Sequence, residues 1–107
     1  MRTKLKAISG EKRIFTAKLQ KFAAKKGKTK LTVALLLDLR LDGELMADHL
    51  WLPKHHFPEW MLGGDLTFRA KVIWYKKNIN HPLKKYDLTL DSISIRSCEL
   101  PQELTQL

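Results

Sequence analysis

The chain has 107 residues, 44% of them apolar, and a formal net charge of +9 from 20 Lys and Arg against 11 acids. That length fits one domain, and the apolar share is too high for a disordered chain. A single cysteine, Cys98, leaves no internal disulfide or cysteine-rich zinc site, and the longest apolar run, Leu31–Leu37, is too short to span a membrane.

In chain order, residues 1–10 form a basic, weakly patterned arm. Lys12–Ala24 fits two periods: Phe15, Ala17 and Leu19 on one face of a strand, or Phe15, Leu19, Phe22 and Ala23 on a helical stripe. The turn Lys25-Lys26-Gly27-Lys28 and the clear strand after it favour a strand, the first arm of a hairpin. The second strand spans Leu31–Leu41. Its residues Leu31, Val33, Leu35, Leu37, Leu39 and Leu41 alternate with the rest, and that aliphatic face is expected to be core. Asp42-Gly43 is a two-residue hairpin signal, because both residue types tolerate the positive φ such turns need. A third strand, Glu44–Leu52, stops at Pro53. Pro58–Leu62 predicts one helical turn, ended by Gly63-Gly64.

The fourth strand is predicted over Asp65–Lys77. Leu66, Phe68, Ala70, Val72 and Trp74 point one way; Thr67, Arg69, Lys71, Ile73 and Tyr75 point the other. A polar loop leads on to Lys85. The fifth strand, Tyr86–Arg96, changes phase between Leu90 and Ile93, which predicts a bulge at Asp91-Ser92. Residues 99–107 carry two acids, no base and helically spaced leucines. The organisation expected is a basic arm (1–10), one domain (11–98) and an acidic tail (99–107).

The order is three strands, a short helical insert, then two strands. Gly64-Asp65-Leu66-Thr67-Phe68-Arg69-Ala70-Lys71-Val72 resembles the fourth strand of OB-fold domains, and Lys85-Tyr86-Asp87-Leu88-Thr89-Leu90 resembles their closing strand. The resemblance covers roughly residues 13–96, with an insert shorter than usual. It implies an all-β, five-stranded Greek-key OB-type barrel with a short helical insert between strands 3 and 4. OB-type domains commonly bind single-stranded nucleic acid at the face of strands 2 and 3 and at the loops after strands 1 and 4.

The charge distribution agrees with that expectation. The first 30 residues hold 11 of the 20 Lys and Arg and only one acid, Glu11. Lys25, Lys26, Lys28 and Lys30 fall on the loop after strand 1, and Lys76, Lys77, Lys84 and Lys85 on the loop after strand 4. Lys18, Arg40, Arg69 and Lys71 lie on outward positions of the strands. Tyr75 and Tyr86 are the stacking candidates, Tyr75 foremost because Arg69 and Lys71 share its face. Single-strand binding needs such a basic groove with aromatic platforms. Lysines act as point charges, so little base specificity is expected.

A competing reading is a protein-interaction adaptor or small subunit of a larger complex. It would dock through Trp51–Leu62, with Trp51, Phe57, Trp60 and Met61 exposed, and through the acidic tail. An enzyme is not expected: no nucleophile, phosphate-loop or dinucleotide motif is present, and Asp48 and His49 are adjacent on a strand. The histidines His49, His55, His56 and His81 have no zinc spacing, so no metal or other cofactor is expected. The basic N-terminus lacks a following apolar run, so it is not read as a secretory signal, and a reducing cytoplasmic setting is expected.

Overall fold

A computed structural model of the chain describes residues 3–24, 27, 29–76 and 86–101. Its elements are a one-turn helix α1 (Thr3–Lys6) and strands β1 (Lys12–Ala24), β2 (Leu31–Leu41) and β3 (Glu44–Pro53). Two 3-10 turns follow (Lys54–His56 and Glu59–Met61), then β4 (Asp65–Lys76) and β5 (Tyr86–Glu99). The fold is all-β, with five antiparallel strands in one sheet ordered β3-β2-β1-β4-β5. The edge strands β3 and β5 come within 8 Å of each other. Among the described residues, no ladder of hydrogen bonds joins them.

The strand β1 organises the sheet by changing partner. Its first half pairs with β4, from Lys12 opposite Lys71 to Lys18 opposite Asp65. Its second half pairs with β2, from Thr16 opposite Arg40 to Ala24 opposite Leu31. Register slips beside Ala17 and Gln20 bend it between the two. Phe15, Ala17 and Leu19 are buried, as strand alternation predicts. Phe15 faces Phe68 of β4 across the pair, their rings 6.0 Å apart. Leu66, Ala70 and Val72 of β4 and Leu88 and Leu90 of β5 complete that side of the core.

Both predicted turn features are present. Asp42 and Gly43 have φ of 51° and 83°, the pair of positive values that a tight β2–β3 hairpin requires. Ser92 has φ 54°, and the β4–β5 register slips there, between Arg69 opposite Ser94 and Lys71 opposite Asp91. The insert after β3 is two 3-10 turns, the second beginning after Pro58 and followed by Gly63-Gly64. No helix among the described residues is long and apolar enough to cross a membrane.

Three expectations about the strands are corrected. On β2 the buried residues are Ala34, Leu36 and Leu39, while Val33, Leu35 and Leu37 are half-buried. A bulge at Asp38, with φ 56°, inverts the alternation partway along the strand, so the stripe expected as core points outward over its first half. Trp74 continues the apolar stripe of Phe68 and Val72, which alternation places in the core, yet it is 49% exposed. It lies past Lys71, the last β4 residue opposite β1, where β4 continues paired with β5 alone.

The N-terminal segment packs against the sheet. Leu5 of α1 is fully buried, Ile8 packs against the core, and the Gly10 N–H donates to the Val72 carbonyl at 2.7 Å. Finally, β5 continues three residues past Arg96 to Glu99, bringing half-buried Cys98 against the core.

Candidate nucleic-acid interface

The sheet has one face on the core and one turned outward. The outward face of β2 and β3 is unusually apolar for an exposed surface. Leu35 stands opposite Trp51 on β3 and opposite Lys21 on β1. Leu37 stands opposite His49 on one side and Lys18 on the other, and Val33 lies between Pro53 and Ala23. Trp51 is 41% exposed. The result is an aliphatic floor with an indole on one border and two lysines on the other.

Both lysines reach this face through local irregularities. Strict alternation from Phe15, Ala17 and Leu19 would turn Lys21 toward the core. The slip after Leu19 gives β1 one additional residue there, so Lys21 emerges on the outside and Phe22 turns inward. On β2, the Asp38 bulge lets Arg40 face outward opposite Thr16. The Arg40 guanidinium donates to the Gly43 carbonyl at 3.1 Å, which ties it to the hairpin turn. A cleft of about 320 Å³ beside it is lined by Thr16, Ala17, Lys18, Asp38, Arg40 and Asp65. Two cations and two carboxylates meet there, so that cleft does not favour an anion by charge alone.

Further along β1, Arg69 stands opposite Ile14 and Lys71 opposite Lys12. The outward face of β1 and its neighbours thus carries cations from Lys12 to Lys21. Lys30 sits elsewhere, at the start of β2, in a hollow of about 310 Å³ with Leu31, Thr32, Lys54 and His55. Lys54 places its Nζ 4.8 Å over the Phe22 ring and 3.4 Å from Glu59. The adjacent His55 and His56 rings have centroids 4.1 Å apart. Burial, reinforced by the neighbouring His55, holds the His56 pKa below its ordinary value, with Asp91 opposing.

The predicted site residues are therefore divided. Lys18 and Arg40 flank the β2–β3 face, and Arg69 and Lys71 continue the basic line on β4. Tyr75 is half-buried and lies opposite Asp87 on the projecting β4–β5 ribbon, away from Trp51. Lys76 and Tyr86 are opposite each other at that ribbon's end, with side chains outside the described ones. Lys25, Lys26, Lys28, Lys77, Lys84 and Lys85 lie outside the described residues.

Of the residues expected on an exposed docking patch, Phe57 is 2% exposed and Met61 is buried, so neither is on the surface. Phe57 follows the first 3-10 turn and caps the core. Trp60 is 60% exposed, and Leu62 and Leu100 are exposed as well. Lys21, Leu35, Leu37 and His49 were missed as site residues. A signal for Lys21 existed: an alternation that buries a lysine is itself evidence of a bulge.

No protein-family model, curated protein or solved structure matches this chain.

Proposed function

We propose that this protein binds single-stranded nucleic acid on the outward face of β1, β2 and β3 and performs no chemistry on it. The observation that carries this reading is the row Trp51–Leu35–Lys21, which sets an exposed indole and an apolar floor beside a cation. Unpaired bases expose apolar faces that stack on aromatic side chains, and their phosphates seek cations a short distance away. Duplex DNA hides those base faces, so such a face favours a single strand. Lys18 and Lys21 hold the backbone near Trp51. The lysine-rich segments between β1 and β2 and between β4 and β5 add to the attraction for any polyanion.

The OB-type Greek key is the finer fold we propose. The strand order β3-β2-β1-β4-β5, the insert between β3 and β4 and the close approach of β3 to β5 all support it. OB barrels are partly open and bind oligonucleotides on this strand 2–3 face. Lysines carry most of the charge, so binding is largely independent of sequence.

The test is a fluorescence-anisotropy titration of labelled single- and double-stranded DNA and RNA oligonucleotides at low and at physiological salt. Single-strand binding that weakens steeply with salt is expected, because phosphate contacts release counterions. No binding at low salt would overturn the proposal.

The second reading, a docking subunit, draws on the exposed side chains of Trp60, Leu62 and Leu100. Self-association or a stable protein complex in sedimentation, without nucleic-acid binding, would favour it.

A further inference from the structure

At the end of β1 remote from Trp51, a basin of about 400 Å³ opens on the surface. It is lined by Lys12, Arg13, Ile14, Leu41, Asp42, Arg69 and Arg96. Four cations converge there from β1, β4 and β5 against one carboxylate. Arg13 is already engaged, 3.1 Å from Glu11 and 3.9 Å from Asp42. Among the described residues, Lys12, Arg69 and Arg96 have no carboxylate within ion-pair distance. Three uncompensated cations gathered in one concavity repel one another, and an anion seated between them relieves that repulsion. Two are guanidinium groups, whose planar forks match phosphate oxygens with paired hydrogen bonds.

We infer that this basin is a second phosphate site, which grips the backbone of the strand whose bases rest on the Trp51 face. The inference builds on the single-strand reading and adds a length requirement to it. From Lys12 to Lys21 the chain rises at most about 30 Å at roughly 3.3 Å per strand residue. A strand stacked at about 3.4 Å per nucleotide covers that span in about nine nucleotides, and an extended strand in fewer. Oligonucleotides of about four nucleotides, the lower end of OB-type site sizes, reach only one of the two sites.

The experiment compares affinities for oligothymidylates of about 4, 10 and 16 nucleotides, the span of single-domain site sizes. It uses the unaltered chain, the double variant Arg69→Gln/Arg96→Gln, and Lys6→Gln as a control of net charge at an exposed position outside both sites. Thermal melting verifies that each variant folds. The unaltered chain and Lys6→Gln should gain about tenfold between the shortest and the intermediate length, the scale of one charge-assisted contact. The double variant should lose that gain while keeping its affinity for the shortest oligomer, and its salt slope should fall by about one or more. Equal length dependence in the double variant and the unaltered chain would overturn the basin's role while leaving the Trp51 face intact. Absence of binding at every length would overturn both.

Discussion

Trp51 and Leu35 stand directly opposite each other on β3 and β2, on the side of the sheet turned away from the core. Their neighbours Leu50, Leu52, Ala34 and Leu36 are buried on the other side. Over Val33–Leu37, and at Trp51 and Pro53 beside them, the two strands are therefore apolar on both faces. The aliphatic residues Val33, Leu35 and Leu37 of the outer face remain only half-buried, and Lys18 and Lys21 border it.

If bases stack on this indole, Trp51→Ala should weaken single-strand binding by about 1–3 kcal/mol, the usual range per stacked base. Tyr75→Ala, on the projecting ribbon, should weaken it less. Anisotropy titrations of the two variants side by side check this ordering. The melting temperature of Trp51→Ala should change little, because the side chain is already substantially exposed.

Gly64 is a packing position. A Cβ added there would lie 2.5 Å from Cys98 Sγ, 3.0 Å from the Met61 carbonyl oxygen and 3.2 Å from Leu100 Cδ2. Gly64→Ala should cost about 1–3 kcal/mol, as overpacking typically does. Cys98→Ala removes the sulfur and should recover part of that loss. A double-mutant cycle by urea denaturation should therefore show the double variant losing less than the sum of the two single losses. Additive effects would show that the clash lies elsewhere.

The N-terminal segment contributes to the core through Leu5. Leu5→Ala should destabilise by about 2–5 kcal/mol, the range for emptying a buried leucine site. Lys4 and Lys6 are exposed, so Lys6→Ala should leave the denaturation midpoint almost unchanged. Equal behaviour of the two variants would return the arm to a mere charged extension.

His56 should make stability depend on pH. Its folded-state pKa is lowered from 6.5 by burial first and by His55 second. The unfolded chain therefore takes up the proton more readily than the folded one. Stability is fully present above 6.5 and is lost as pH falls through that value toward the lower folded one, levelling off once both states are protonated. Thermal melts across this window should show the decline, and His56→Gln should flatten it.

Much of the fold is legible in the sequence because its signals are local. Phe15, Ala17 and Leu19 alternate cleanly, Asp42-Gly43 has one good turn geometry, and Leu88 and Leu90 out of step with Ile93 and Ile95 demand a bulge. The Asp38 bulge is not legible, because Leu35, Leu36 and Leu37 are equally apolar and either phase looks like a core. Trp74 has the right phase and the wrong surroundings: only the pairing with β1 shows that β4 outruns its neighbour. Leu5 is hidden among basic residues. The site was half-visible for the same reason. Lys18, Arg40, Arg69 and Lys71 follow from alternation, whereas Lys21 depends on a slip in β1, and Arg96 on register irregularities in β5 that bring it beside Arg69 and Lys12.

The most direct test of the account is chemical-shift mapping of isotope-labelled protein during titration with a single-stranded oligonucleotide. The account predicts the largest changes at Lys18, Lys21, Leu35, Leu37, His49 and Trp51, including the Trp51 indole N–H. Changes confined to Trp60, Leu62 and Leu100, or none at saturating oligonucleotide, would contradict it.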